Sequence, residues 1–242
     1  GVAARTSRAR LQAASLDGWR GKVSAGAAPV PNDLRPISPT ALENYAKCPF
    51  RYFLGQVLKV GEIERPEETV TIEPATIGNI VHEILQKFFE ATASRPDSSA
   101  DWNADERETL RTISERVFHD FESRGLTGKS LTWQAEQARI RRDLELLLGK
   151  EVEERRARRY RFLQAEAAFG VRTSAARPEV MPPAILTLPN SGKVSFRGIV
   201  DRVDIGPNGE LAVIDYKTGS SRNYKELSGT NPLGGGKFLQ LP

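Results

Sequence analysis

Two acidic residues and a lysine in the C-terminal third of the sequence have the types and spacing that a phosphate-processing site requires. Asp215 and Lys217 are separated by one residue in a run rich in apolar side chains, and Asp201 stands in a similar run just upstream. Side chains alternate between the faces of a strand, so Asp215 and Lys217 project to one side while Tyr216 points to the other. Carboxylates suit a hard divalent cation, and an ammonium can stabilise charge on a phosphate. The pattern therefore predicts metal-dependent cleavage of nucleic acid.

The runs around Asp201 and Asp215 are expected to form an antiparallel hairpin. Both are rich in Val and Ile, and residues 206–209 between them read Gly-Pro-Asn-Gly, a strong turn signal. Directly paired residues share a face, so the two carboxylates meet only if the loop has an odd length or a strand carries a bulge; a loop over 205–209 satisfies this condition. Neighbouring carboxylates repel unless a cation lies between them, and Mg²⁺ is the expected occupant. The alternative is an ordinary salt-bridged hairpin, because short Asp/Lys patterns are common.

Several further short motifs occur in a fixed order along the chain. Gly78-Asn79-Ile80-Val81-His82 opens an amphipathic helix, Glu166 lies in a strand-like run, the Asp201 and Asp215 runs follow, and Leu239-Gln240-Leu241-Pro242 comes last. This order resembles the RecB-type branch of the PD-(D/E)XK nucleases. An upstream segment, residues 38–54, is similar to the C-terminal nuclease domain of AddB-like helicase–nuclease subunits. The resemblance covers residues 38–242 with long unmatched insertions, and its specificity lies in the joint order of the motifs.

The resemblance implies a role for each matching residue. The implied metal ligands are His82, Asp201, Asp215 and the backbone carbonyl of Tyr216, with Mg²⁺ or Mn²⁺ as the cofactor. Lys217 is implied to position the attacking water or to stabilise charge on the phosphate, which agrees with the needs of in-line attack on a phosphodiester. Glu166 matches an additional acidic position of the family, and Gln240 matches the first residue of its Gln-x-x-x-Tyr motif.

His82 lies at the edge of the apolar stripe of its helix, where it can face a site that borders the core. A lone histidine at such a position is more often a hydrogen-bonded structural residue than a ligand. The order of the motifs favours ligation here.

Cys48 is the only cysteine of the chain. AddB-like domains and the related CRISPR adaptation nucleases commonly hold a 4Fe-4S cluster, with one cysteine in an early Cys-Pro-Phe segment and three beyond the Gln-x-x-x-Tyr motif. This chain has only the early cysteine, so it cannot build such a cluster alone. A single cysteine is usually a buried structural thiol, whereas the resemblance favours a cluster ligand that is completed only in a longer parent protein.

The composition sets broad limits on the class of protein. The 242 residues, 39% of them hydrophobic, suffice for one sizeable core or for a core plus a helical insertion. The balance of 35 Lys and Arg against 31 Asp and Glu is mildly basic and suits a polyanionic partner. No run is long enough to span a bilayer, and one cysteine fits a reducing compartment, so we expect a cytoplasmic protein without a membrane partner.

The chain is expected to be a piece of a longer protein, because it starts with glycine and its only methionine is Met181. Residues 1–36 are rich in Ala, Ser, Arg, Gly and Pro and are predicted to be a poorly ordered linker or arm, with a transit peptide as the alternative. Residues 37–242 are predicted to be the nuclease domain, with a helical insertion at about 92–160 that contains helices near 104–124 and 132–158.

The strongest local basic signal stands at the end of that insertion and consists of Arg155, Arg156, Arg158 and Arg159. These arginines are predicted to contact DNA phosphates. The alternative is a solvated helix end, where basic side chains are favoured by the helix dipole.

The resulting prediction is an α/β fold with a restriction-endonuclease-like central mixed sheet flanked by helices. The predicted function is that of a metal-dependent DNA exonuclease domain of a helicase–nuclease in double-strand-break repair and recombination, which acts on duplex ends or single strands and works with a helicase domain or subunit. One alternative is a catalytically silent domain that binds DNA or braces a partner subunit, although such a role gives no reason for two carboxylates and a lysine on one face. A CRISPR adaptation nuclease is the other, but the roughly 120 residues between His82 and Asp201 are long for that compact form.

Overall fold

The computed structural model describes residues 35–61, 71–95, 100–172, 180–189, 192–219, 225 and 227–239. The predicted linker at 1–36 lies almost entirely outside these residues, and so does Gln240. From Ile37 onward the chain is anchored, because the Ile37 N–H donates to the carbonyl of Ser195 at 2.9 Å and the Arg197 N–H donates to the carbonyl of Ile37 at 3.0 Å.

The described helices are α1 Pro39–Lys47, α2 Pro49–Tyr52, α3 Pro74–Ala91, α4 Ala104–Ser123 and α5 Ser130–Arg158, with a π turn at Phe53–Val57 after α2. α4 begins with a capping box: the Asn103 side chain accepts the N–H of Glu106, and the Glu106 carboxylate accepts the N–H of Asn103. Gly125, whose φ is +70°, follows its end. The helices predicted near 104–124 and 132–158 are confirmed, with ends that differ by at most two residues.

Five strands are described, namely β1 Arg161–Phe169, β2 Ala184–Thr187, β3 Lys193–Phe196, β4 Gly198–Ile205 and β5 Leu211–Ile214. β1, β4 and β5 form one antiparallel sheet in that order, and β2 pairs with β3 in a separate antiparallel hairpin. In the described residues, parallel pairing is limited to isolated bridges between Ile37 and Phe196 and between Phe169 and Met181. The predicted α/β class is confirmed, but the described strands form antiparallel sheets where a mixed sheet was predicted.

The main core lies where α3 meets the α4–α5 pair and one face of the sheet. α3 contributes a stripe of fully buried side chains, Ile80, Ile84, Leu85, Phe88 and Phe89. These residues recur at the spacing of one helix face, which explains why α3 is central to the fold. None of the described helices combines the length and the apolarity needed to cross a bilayer.

Candidate functional site

The register of the β4–β5 hairpin brings Asp201 and Asp215 together. Arg202 pairs with Ile214, and the connecting loop, 206–210, has five residues. Continuing the register by one residue places Asp201 opposite Asp215, immediately beyond the end of β5. The condition of an odd loop is therefore met, although the loop starts one residue later than the predicted 205–209.

β1 adds a third carboxylate at the same level of the sheet. The pairs on either side are Ala165↔Arg202 and Ala167↔Val200, so Glu166 lies opposite Asp201. The φ of Glu166 is +47°, in the left-handed region that side chains with a Cβ rarely adopt. Such backbone strain is concentrated at functional sites, because the surrounding structure must hold it in place. Glu166, Asp201 and Asp215 thus come from three adjacent chain segments of one sheet.

His82 approaches this row of carboxylates from α3. Its Nε2 donates to the backbone carbonyl of Tyr216 at 2.8 Å, and its Nδ1 lies 3.4 Å from Oδ1 of Asp201. The hydrogen bond with Asp201 raises the pKa of His82, although partial burial opposes the charged form. The predicted position of His82 at the border of the core is confirmed by these contacts.

Tyr216 organises the site through its backbone. Its N–H donates to Oδ2 of Asp201 at 2.7 Å, while its carbonyl accepts from His82. Burial alone would raise the pKa of Asp201, but the hydrogen bonds from His82 and from the Tyr216 N–H outweigh it and lower that pKa. The carboxylate is therefore held in its charged form, as a metal ligand requires.

Asp215 and Lys217 form a close pair at the end of β5. Oδ2 of Asp215 lies 2.5 Å from Nζ of Lys217. The same oxygen is buried, and among the described residues it has no partner with hydrogen-bond geometry. The Lys217 ammonium is therefore the charge partner of this buried carboxylate oxygen, and opposite charges in close contact offset part of the cost of removing each from water.

The donor atoms of this site fit a hard divalent cation. His82, Glu166 and Asp201 each offer a ligand atom, and these atoms lie within 4.8 Å of one another. The Tyr216 carbonyl has two lone pairs, so it can accept from His82 and still offer one to an ion. Carboxylate and carbonyl oxygens are the ligands that Mg²⁺ and Mn²⁺ prefer. Of the predicted ligands, His82 and Asp201 belong to this group of three. Glu166, predicted as an additional acidic residue, is its third member. Asp215 is paired with Lys217 instead.

A cavity of about 410 Å³ opens beside Asp215 and Lys217, between α3 and α5. Its apolar lining is formed by Ile77, Val81, Leu85, Ile140, Leu144 and Leu147. The helical insertion thus forms one wall of the space next to the site.

Sequence reasoning missed a buried charged cluster on the opposite face of the sheet. Arg202, 2% exposed, donates to both carboxylate oxygens of Asp204 at 2.7 and 2.5 Å, to Glu151 at 2.8 Å and to the hydroxyl of Tyr216 at 3.1 Å. Strand alternation was a usable signal, because it places Arg202 and Asp204 on the face of Tyr216 rather than on that of Asp201. Glu151 offered no local signal, since it is 51 residues away.

The expectation that Arg155 contacts DNA is wrong. Its side chain is 4% exposed, pairs with Glu151 at 3.2 Å and lies over the ring of Trp102. Burial lowers the pKa of Arg155, and it does so because the guanidinium has left water. The spacing of Arg155 from Leu148 and Val152 places it on the buried face of α5, so the sequence did contain the signal.

The other three arginines of this run, Arg156, Arg158 and Arg159, are exposed. Arg156 pairs with Asp101 at 3.1 Å and Arg158 with Glu154 at 2.9 Å. Contact of these three with DNA stays a prediction.

Cys48 lies at the junction of α1 and α2 and is exposed. The interpretation as a buried structural thiol is therefore wrong, whereas a role as a cluster ligand stays a prediction. One cysteine does not supply the four thiolates of a 4Fe-4S cluster, so no step of the chemistry is assigned to such a group. Leu239, just before Gln240, donates its N–H to the Glu43 carboxylate of α1 at 2.7 Å.

Comparison with known proteins agrees with this geometry. Residues 36–241 match a family model described as the PD-(D/E)XK nuclease superfamily, and the chain belongs to that superfamily. Among similar proteins is an ATP-dependent helicase/deoxyribonuclease subunit of Moorella thermoacetica, 33% identical over 220 residues, which are 88% of this chain and 17% of that protein.

Proteins of the same name from Natranaerobius thermophilus and Acetivibrio thermocellus are also similar. The first is 30% identical over 195 residues, 78% of this chain and 15% of that protein; the second is 25% identical over 227 residues, 84% and 19%. The chain thus spans less than a fifth of the length of each of these relatives.

Proposed function

We propose that this chain is the nuclease domain of a DNA-processing helicase–nuclease and that it hydrolyses DNA phosphodiesters with Mg²⁺ or Mn²⁺. The observation that carries the proposal is the convergence of His82, Glu166 and Asp201 beside Asp215 and Lys217. Membership of the nuclease superfamily and relatives named as helicase/deoxyribonuclease subunits support it.

In this proposal His82, Glu166 and Asp201 hold the cation, and Asp215 and the Tyr216 carbonyl complete its protein ligands. The bound cation supplies Lewis acidity, which lowers the pKa of a water molecule and neutralises phosphate charge. The backbone of Tyr216 orients both the His82 ring and the Asp201 carboxylate through its two hydrogen bonds. The ligands are therefore held in place before the substrate arrives.

Lys217 is the proposed group that meets the reacting phosphate. Its side chain is 33% exposed, and its ammonium lies next to Asp215, beside the cavity between α3 and α5. A preorganised cation beside a phosphate stabilises the negative charge that develops on its oxygens during attack. Asp215 keeps the ammonium in position through their close contact.

The substrate and partners follow from the same proposal. The substrate is DNA with a free end, either duplex or single-stranded, and the action is exonucleolytic, as predicted from the sequence. A helicase domain or subunit would deliver the strand, as the name of the similar proteins suggests.

Cleavage of labelled linear DNA by the purified chain tests the proposal. Degradation is expected with Mg²⁺ or Mn²⁺, none with a chelator, and none by Asp201→Asn with either ion. The matched control is Asp120→Asn, which alters an exposed aspartate of α4 that pairs with Arg124. DNA that is bound but never cut would identify a silent DNA-binding domain, and cutting of closed circular DNA would contradict exonucleolytic action.

The cation itself can be detected by thermal unfolding. A ligand that binds only the folded state stabilises it, by about 2.7 kcal/mol at a concentration 100 times its dissociation constant. Mn²⁺ or Mg²⁺ should therefore raise the Tm of the chain, and the double change Asp201→Ala and Asp215→Ala should abolish the gain. A gain that survives both substitutions would place the ion elsewhere.

A further inference from the structure

A cluster of charged side chains is buried directly beneath the candidate metal site. The Arg202 guanidinium lies 4.0 Å from the ring of Phe89 and is surrounded by Asp204, Glu151 and the Tyr216 hydroxyl. Arg202 and Asp204 are each 2% exposed. Charges are seldom buried so completely, because desolvation costs several kcal/mol per ion and well-packed apolar side chains would stabilise the fold at least as well. Stability alone therefore does not explain this cluster.

The position of the cluster in the chain indicates a different role. Arg202 directly follows Asp201, and Tyr216 directly follows Asp215, so each of these two cluster residues is the neighbour of a site carboxylate. Strand alternation sends the carboxylates to one face and their neighbours to the other. The hydrogen bond between Arg202 and Tyr216 thus joins β4 to the segment after β5 on one face of the sheet. Asp201 and Asp215 lie at the same level of the strands on the other face.

Tyr216 transmits this constraint to the ligands. Its hydroxyl is fixed by Arg202, while its N–H and carbonyl are bonded to Asp201 and His82 at 2.7 and 2.8 Å. A shift of the phenol ring must therefore move the peptide groups that orient two of the ligands. Interiors are close-packed and transmit such shifts with little loss.

The helical insertion enters the cluster through Glu151 of α5. Oε2 of Glu151 accepts from Arg202 at 2.8 Å and from Arg155 at 3.2 Å. α5 is thereby attached to the sheet by an ion pair between residues 51 positions apart.

We propose that Glu151, Arg202 and the Tyr216 hydroxyl act as positioning residues that fix the metal ligands, so that the helical insertion sets the geometry of the site from below. The inference rests on the proposed metal-dependent nuclease function. None of the three side chains touches the cation or the substrate in this scheme. They act through the backbone of Tyr216 and the neighbouring Asp201.

The test compares Mn²⁺ binding by the chain and by Tyr216→Phe and Glu151→Gln, measured by titration calorimetry well below the Tm. Tyr216→Phe removes only the hydroxyl, and Glu151→Gln keeps the shape but removes the charge. Loss of a residue that orients metal ligands typically weakens metal binding about 10- to 100-fold, and each variant should show a loss of that order. The kcat at saturating Mn²⁺ should also fall, while the KM for DNA changes little.

Trp133→Phe is the control for a loss of hydrogen bonding and packing away from the site, because it removes part of a buried ring and the indole N–H that bonds Glu122 within the α4–α5 pair. It should lower the Tm and leave the Mn²⁺ affinity unchanged.

Either of two results would overturn the positioning role but not the proposed metal centre. One is wild-type Mn²⁺ affinity in both Tyr216→Phe and Glu151→Gln. The other is an equal loss of affinity in Trp133→Phe. Absence of Mn²⁺ binding by the unsubstituted chain would instead remove the proposed metal centre, and the positioning role with it.

Discussion

The helical insertion and the β1–β4–β5 sheet bury different kinds of residues. The α4–α5 pair buries mainly apolar side chains, and Phe118, Trp133 and Leu148 are at most 2% exposed. The sheet buries Arg202 and Asp204 instead, while its edge strand leaves Leu211 and Val213 at 60% and 68% exposure. Apolar burial is the main source of folding free energy, whereas buried charges contribute little net stability. The insertion is therefore expected to supply stability, and the sheet to supply the chemistry.

This division implies that substitutions in the two regions affect different properties. A change in the insertion core should lower the free energy of unfolding and leave the reaction of the folded molecules unaltered. A change at the candidate metal site should slow the reaction and leave the free energy of unfolding nearly unaltered. Glu151 and Arg155 are exceptions, because both belong to the insertion by sequence and to the buried charged residues by contact.

Phe118→Ala should give the largest effect. Phe118 is 1% exposed and packs edge to face against Trp133, with ring centroids 5.4 Å apart. Truncation of a buried phenylalanine costs about 3–5 kcal/mol of unfolding free energy, which urea titration would measure. Cleavage by the remaining folded protein should be unchanged. A loss of less than about 1 kcal/mol would contradict the assignment of stability to the insertion, and Phe118→Leu provides a milder variant if the alanine form does not fold.

Lys217→Ala should lower the rate of cleavage and have little effect on stability, the reverse of Phe118→Ala. Loss of a group that stabilises the transition state costs about 10²–10³ in kcat, and the loss of the partly exposed ion pair with Asp215 should lower the unfolding free energy by about 1 kcal/mol or less. DNA affinity should change little, which single-turnover cleavage and equilibrium binding would separate. Equal losses in binding and rate would make Lys217 a clamp on the DNA backbone instead.

Glu166 allows strain and function to be separated. Glu166→Gly and Glu166→Ala both remove the carboxylate, so both should lose Mn²⁺ affinity. Only glycine adopts the φ of +47° without steric cost, so the free energy of unfolding should be about 1 kcal/mol higher for the glycine variant than for the alanine variant. Equal stabilities of the two variants would show that the backbone relaxes when the carboxylate is removed.

The smallest effect is expected at Arg158, which is 63% exposed and pairs with Glu154. Arg158→Ala should change stability by less than about 1 kcal/mol, as exposed ion pairs do. If Arg158 contacts a phosphate, the slope of log affinity for DNA against log salt should fall by about 1. Arg155→Ala is the contrasting variant, because the loss of its buried contacts should destabilise the fold without changing that slope.

Prediction from the sequence succeeded where neighbouring residues decide the outcome. The positions of α4 and α5 follow from apolar periodicity, and the meeting of Asp201 with Asp215 follows from an odd loop between alternating strands. The burial of Arg155 could also have been predicted locally, because its helical spacing from Val152 places it on the buried face of α5. The neighbouring arginines led instead to the prediction of an exposed, DNA-binding side chain.

The sequence by itself determined the elements and the faces to which their side chains point, because strand and helix periodicity are properties of a few adjacent residues. Only the tertiary structure decided which residues meet from distant elements. His82 on α3, Glu166 on β1 and Glu151 on α5 reach the Asp201–Tyr216 region through helix and sheet packing, and the left-handed backbone of Glu166 exists because that packing holds it. Contacts between distant segments depend on the free energy of the whole core, which no local pattern encodes.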